Sequence, residues 1–425
     1  MHLTTSNQWP VWQLILFRFA FVFFSLYIII QNNGAFPFWD VLITYPTEGL
    51  HLFIPWIADT FLSLDERITV FTNGSGDTTY DNVIVLTIFV ISIFSMIIWS
   101  VLDRNRQNYD QLYAWLLVGI RFYVGLMLIN YGMVKVFKMQ FSSPGPYRLL
   151  QSYGDSSPMG LAWTFLGFSK GYNYFMGLAE LSAVLLLFRR TATFGAILTL
   201  ATSLNIMSIN YFYDVPVKLL STSLAVMSAV ILLHDAKRLI TFFFTSNPVS
   251  LPAFPSPRIS IKPLKIGLVS VKYLVIGYVC IWGAYETYGM MDEWGDAAPK
   301  DLFYGAYDVQ EFVLNGDTLP PMKNNSRRWD RFMVQWKGYA QAKMMDQSPK
   351  YLQIEQDTVA STVNIKMGRD TVGAVINYVL TDSTLVFDGV LDQDTLLIAM
   401  KKIDLDKMNL TGRGFNWINE YPYNR

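Results

Sequence analysis

The sequence predicts an α-helical integral membrane bundle of about seven spanning helices, followed by a soluble antiparallel β-barrel. Three observations predict it. The chain of 425 residues is 52% hydrophobic and only 16% charged, whereas a soluble chain carries about 25% charged residues. Its long apolar runs, each near the ~20 residues that cross a bilayer, all fall before residue 286. Beyond that point the pattern changes to short stretches in which apolar and polar residues alternate. The 30 Phe, 24 Tyr and 12 Trp also suit the aromatic belts of a membrane protein.

The apolar runs are 10–31, 82–101, 113–137, 171–188, 192–211, 217–234 and 266–285. "FRRTA" and "FYDVP" leave only a few residues between consecutive runs, so those neighbours must be antiparallel. The N-terminal "MHLTTSNQWP" lacks the basic region and small-residue cleavage site of a secretory signal, and the first run is expected to be retained. Arg104, Arg106, Arg189, Arg190, Lys237, Arg238, Arg258, Lys262 and Lys265 all fall on one side of these runs. The other side carries Arg67, Lys138, Arg148, Lys170 and Lys218, and the stretch 32–81 is acidic, with Asp40, Glu48, Asp59, Asp65, Glu66, Asp77 and Asp81. By the positive-inside rule the N-terminus is expected to be cytoplasmic and the C-terminal domain on the opposite side of the membrane.

The expected domains are a bundle over 1–245, a linker over 246–265, a seventh helix over 266–285 and a β domain over 286–425. The linker, "SNPVSLPAFPSPRISIKPLK", is proline-rich and should be extended. The stretch 47–67 has helical spacing and is expected to lie along the membrane face or cap the bundle. In the β domain, "VLNGDT" places an Asn-Gly hairpin turn between extended runs. The later runs "KYLQIEQD", "ASTVNIKM", "VINYVLTD", "STLVFDGVL" and "DTLLIAMKKID" read as a meander that closes to hide its edges. "GAYDVQEFVLNG" is loosely similar to the opening of lipocalin-like barrels. The aromatic tail "LTGRGFNWINEYPYNR" is expected to dock on the barrel or the membrane surface.

Several chemistries find no residues here. One cysteine, Cys280, cannot form an intrachain disulfide. His2, His51 and His234 fit no metal or haem spacing, and no flavin motif or phosphate loop is present. Zero net charge gives no basic field for nucleic acid.

The candidate chemistry is intramembrane. Arg121, Gly125, Leu128, Gly132 and Lys135 share one helix face, and Glu180 shares a face with Asn173 and Gly177. Arg121 is the expected partner of Glu180. Asn205, Asp214 and Lys218 join Arg121 and Lys135 as candidate ligand-binding residues, and Glu180 is the candidate proton relay. The same groups also suit interhelical salt bridges and snorkelling cations, which is the reading for Arg18 and Lys272. In the β domain, Tyr307, Phe312, Phe415 and Trp417 are the candidate contacts for a protein partner.

"GIRFYVGLMLINYGMVK" followed by "GLAELSAVLLLFRRTATFGAIL" and "LLHDAKR" resembles the DoxX/DoxD-like membrane proteins across residues 113–235. Arg121, Gly125, Gly132, Lys135, Glu180, Arg190 and Asp235 take the family positions. Long chains joining such a block to a C-terminal barrel look like a bacteroidete-type membrane protein group. The resemblance implies a quinone-associated subunit of a membrane redox system, with quinone as the cofactor. Without a cysteine pair, sulfur chemistry by this chain alone is not expected. The alternatives are an envelope assembly scaffold whose β domain binds a protein or lipid, and a small-molecule transporter, for which no inverted repeat is seen.

Overall fold

The computed structural model describes residues 8–64, 66, 68–70, 74–367, 373–391 and 393–424. His2, Asp65 and Arg67 lie outside the described residues. The chain divides into two units, Met1–Phe141 with Ser157–Met291 and Ser142–Ser156 with Asp292–Arg425.

The first unit is helical. It contains α1 (Val11–Ile30), α2 (Trp39–Ile57), α3 (Thr79–Leu102) and α4 (Asp110–Val136). After α5 (Pro146–Leu149), which belongs to the second unit, come α6 (Pro158–Phe168), α7 (Lys170–Leu181), α8 (Ala192–Phe212), α9 (Lys218–Leu233), α10 (Ala236–Phe244), α11 (Lys262–Gly277) and α12 (Gly283–Trp294). Among the described residues, five helical stretches are long and apolar enough to cross a membrane. The bent pair α9–α10 makes a sixth if it is one span. The remaining expected span, the fourth apolar run, is different. Residues 171–188 form the twelve-residue α7, which tightens into a 3₁₀ helix over Ser182–Leu187.

Local sequence sets the helix ends. Thr78 caps α3 in a reciprocal box with Asp81, and Ser157 with Pro158 starts α6. Asp77 caps α9 from a distance, accepting the amides of Lys218 and Leu219 at 2.7 and 2.9 Å. Of the stretch 47–67, expected to be helical, 47–62 lies in a helical run that begins at Trp39 and packs Ile54 and Ala58 against Val83, Ile84 and Ile88 of α3.

The hub is α4. Its residues Ile120, Tyr123, Val124 and Leu128 are enclosed by α1, α8, α9 and the 3₁₀ segment. Glycines set how closely it approaches α7. A Cβ on Gly177 would meet Val136 Cγ2 at 2.6 Å and the Gly132 carbonyl at 2.8 Å, and one on Gly132 would meet the Gly177 carbonyl at 2.9 Å. The two backbones can pass at that separation only without side chains. The proline-rich stretch is extended, but it is anchored as well as connecting. Phe254 is fully buried; its amide donates to the Arg189 carbonyl and its carbonyl accepts the Arg189 Nε.

The second unit is a β-barrel. Its strands are β1 (Gly305–Leu314), β2 (Asp317–Thr318), β3 (Trp329–Trp336), β4 (Tyr339–Met344), β5 (Pro349–Asp357), β6 (Thr362–Met367), β7 (Ala374–Leu380), β8 (Thr384–Leu391) and β9 (Asp394–Lys402). All neighbours are antiparallel, and β1 pairs with β9, so eight strands close and the two-residue β2 extends the first hairpin. Asn315 and Gly316 take positive φ at that turn, as the Asn-Gly signal requires. Phe303, Tyr307, Phe332, Phe387 and Ile398 fill the interior, which in an eight-stranded barrel is about wide enough for side chains. A short helix, α13 (Asn409–Gly412), follows.

Residues 142–156, expected within the membrane block, belong to this unit. Asp296 accepts Ser143 N and Oγ at 3.0 and 2.7 Å, and the Tyr147 ring packs edge-on against Trp336. One buried cation with no sequence signature supports the barrel. Arg328 donates to the Leu319, Val309 and Gln310 carbonyls, the last two at the bulge where β1 shifts register against β9.

Candidate functional site

Past the Gly132–Gly177 approach, Lys135 and Glu180 face each other. The ammonium lies 2.7 Å from Oε1 and 2.8 Å from Oε2, and both side chains are buried. Lys135 also lies 5.4 Å from the Tyr131 ring and 5.7 Å from the Phe141 ring. A cation held between a carboxylate and two aromatic faces is stabilised on each side.

The pair forms part of the wall of a cavity of about 520 Å³ within the helical unit. Trp163, Tyr172 and Phe175 give it flat apolar walls, and Gln140, Thr202 and Asn205 add polar groups. Asn205 makes no side-chain hydrogen bond among the described residues, and the Gln140 Oε1 is buried without a partner. Buried amide oxygens are ordinarily satisfied, so the cavity offers unused hydrogen-bonding capacity beside a fixed ion pair.

The structure thus gathers Lys135, Glu180 and Asn205 into one cavity. Arg121, Asp214 and Lys218 do not line it. The expected pairing of Arg121 with Glu180 is corrected. Arg121 Nε and Nη2 both donate to the Leu186 carbonyl, at 2.8 and 2.6 Å. The reason is register, because α7 and its 3₁₀ extension run antiparallel to α4 and bring Glu180 beside the far end of α4 from Arg121. Asp214, in the turn before α9, pairs at 2.9 Å with Lys218, the first residue of that helix.

Arg18 is satisfied structurally, donating to the Tyr109 hydroxyl, Ser100 Oγ and the Asp103 carbonyl. Asp235 is buried, accepts Thr193 Oγ1 at 2.6 Å and pairs with Arg238.

In the barrel, Tyr307 and Phe312 are corrected as contact candidates, since both are buried in the core. They lie five residues apart, so strict alternation would place them on opposite faces. The bulge between Val309 and Glu311 shifts the phase and turns both inward. Phe415 and Trp417 are exposed, at 79% and 90%. The tail folds on itself through the Arg413–Tyr423 stack and the Phe415–Trp417 edge contact, not by burying these rings on the barrel.

Sequence reading missed Trp163 and the whole of α6. A Ser-Ser-Pro start was the available signal.

These features define a multi-pass membrane protein carrying a soluble antiparallel β-barrel domain. Over 124 residues the chain is 37% identical to the uncharacterized protein YwoB of Bacillus subtilis (strain 168), covering 29% of this chain and 79% of that protein. The chain belongs to the family of that protein. No family model and no solved structure matches it, so the DoxX/DoxD-like likeness rests on the quoted residues.

Proposed function

We propose that the helical unit binds a quinone-type headgroup in the Lys135–Glu180 cavity, as a subunit of a membrane redox system. The observation that carries this reading is a buried ion pair kept on a cavity wall. A pair that served only to lock two helices would gain nothing from an adjoining space of about 520 Å³, which is within the ~300–1,000 Å³ of small-molecule sites. The residues fit such a headgroup. Aromatic rings supply flat walls, and Lys135 donates a hydrogen bond to a ring oxygen. Asn205 and Gln140 orient the ring edge, and Glu180 accepts or returns a proton at its carboxylate. A bound quinone would supply the electron-carrying chemistry. The DoxX/DoxD-like pattern over 113–235 points the same way.

The cation distribution supports an orientation with the N-terminus and the 102–112, 189–191 and 235–265 segments cytoplasmic, and the barrel periplasmic. The scaffold reading keeps one observation of its own, the exposed rings of Phe415 and Trp417, which suit an envelope protein partner.

Detergent-purified protein titrated with a short-chain quinone should show quenching of Trp163 fluorescence, against a Trp163→Phe control. Glu180→Gln and Lys135→Met should weaken binding at least about ten-fold, while Arg121→Lys should not. Equal binding by all variants would remove the cavity from consideration.

A further inference from the structure

We infer that Arg121, Arg189 and Lys272 form a second binding site, for a phosphate-bearing anion entering from the level of the lipid headgroups. Arg121 is 1% exposed, yet no carboxylate pairs with it among the described residues. Two of its three nitrogens share the single Leu186 carbonyl. Its Nη1 makes no hydrogen bond among the described residues and is not fully enclosed. Its guanidinium also lies 5.2 Å from the Phe254 ring.

Phe254 brings in the second cation. Its carbonyl accepts Arg189 Nε at 2.5 Å and its amide donates to the Arg189 carbonyl at 3.0 Å. Lys272 of α11 is the third. Its ammonium lies 5.3 Å from the Phe188 ring and 5.9 Å from the Phe122 ring. Phe188 precedes Arg189 and Phe122 follows Arg121, so the three cations gather around two pairs of adjacent residues. Lys272 also has no carboxylate partner among the described residues.

Other cations of this unit are treated differently. Lys135 has Glu180, Lys218 has Asp214, and Arg18 has three oxygen acceptors. The acid nearest along the chain to the His234–Phe254 contact is Asp235, already engaged by Thr193 and Arg238. A cation cluster without an acid repels itself, and in a desolvated setting that is costly unless an anion completes it.

The level in the membrane agrees. With 27 residues, α4 is ~40 Å long, more than the ~30 Å hydrocarbon core. Arg121, eleven residues and ~16 Å into it, lies within that core, and its Leu186 acceptor is three residues from the Arg189 turn, which stands at the boundary between two apolar segments. The α11–α12 run of 33 residues is longer still, which allows Lys272 the same level. Guanidinium and ammonium groups together suit phosphate oxygens, and Phe122, Phe188 and Tyr273 provide apolar surface beside them.

The test uses the full chain. Protein in a neutral detergent would be examined by native mass spectrometry with added phosphatidylglycerol or phosphatidylcholine, and separately titrated with inorganic phosphate. The wild type should retain phosphatidylglycerol in preference to phosphatidylcholine. Arg189→Ala and Lys272→Gln should each weaken this about five-fold, and together about twenty-five-fold. Inorganic phosphate competing for the site would identify a free phosphate as the ligand. Lipid binding indifferent to phosphate would identify the headgroup. Equal retention of both lipids without phosphate binding, or unchanged binding by the double variant, would overturn the site. Lys272→Gln lies on a helix with no buried residue, so it keeps the test open if Arg189→Ala does not fold.

Discussion

Replacing Lys135 by Met isolates the central contact of the helical unit. Glu180 is 2% exposed and both its oxygens receive the Lys135 ammonium, at 2.7 and 2.8 Å. Removing one member of a buried pair strands the other and costs ~3–5 kcal/mol. The pair adjoins a cavity of about 520 Å³, roomy enough for water to solvate the stranded carboxylate. The expected loss is therefore at the low end, about 3 kcal/mol. Lys135→Met combined with Glu180→Leu removes both charges and should recover most of it, giving a coupling of about 2 kcal/mol. A parallel cycle of Arg121→Met with Glu180→Leu should show coupling below about 0.5 kcal/mol, because Arg121 binds the Leu186 carbonyl instead. Reversible denaturation in mixed micelles, followed by tryptophan fluorescence, reads these differences. A Lys135→Met variant within about 0.5 kcal/mol of wild type, or coupling at 121/180 as large as at 135/180, would refute the pairing.

Gly177→Ala places a Cβ against Val136 and the Gly132 backbone and should cost ~1–3 kcal/mol. Gly267→Ala, with nothing within 4 Å, should fall within about 1 kcal/mol of wild type, favouring Ala; micelle denaturation compares the two. Phe254→Ala removes a fully buried ring and should cost ~3–5 kcal/mol, with limited proteolysis inside 246–261 accelerated as the segment detaches. Burial pushes the Tyr307 hydroxyl up to about 12. The folded state thus holds a proton that the unfolded chain loses near pH 10. Its contribution is complete below about pH 10 and is lost as pH rises toward 12; Tyr307→Phe should flatten that part of the stability profile. In the opposite sense, the Asn315 side chain and then Arg327 hold the Asp394 carboxyl below the usual range. Asp394→Asn should remove a loss of stability that sets in below about pH 4.

Much of the fold was legible because its signals are local. Hydropathy marked the membrane helices, the two-residue period marked the strands, and Asn315-Gly316 marked the first hairpin turn. The failures share one cause. The run 171–188 is apolar enough to read as one span, but apolarity does not distinguish an α-helix from an α-helix that tightens after Leu181. Phe254 looked like linker because prolines dominate its surroundings, and nothing local shows that a ring will bury against Arg121.

The sequence by itself determined the two classes of structure, the order of the long membrane helices and of the strands after β4, and which charged groups would lie inside the membrane block. It also placed a glycine three residues before both Lys135 and Glu180. Only the tertiary structure decided which charges meet. Helical periodicity says which residues share a face, but not how far one helix slides along another. Here the Gly132–Gly177 approach sets that register, giving Glu180 to Lys135 and leaving Arg121 with a carbonyl. The same holds in the barrel, where one extra residue at the β1 bulge turned both Tyr307 and Phe312 into the core. Register and bulges depend on the partner strand or helix, so no single segment encodes them alone.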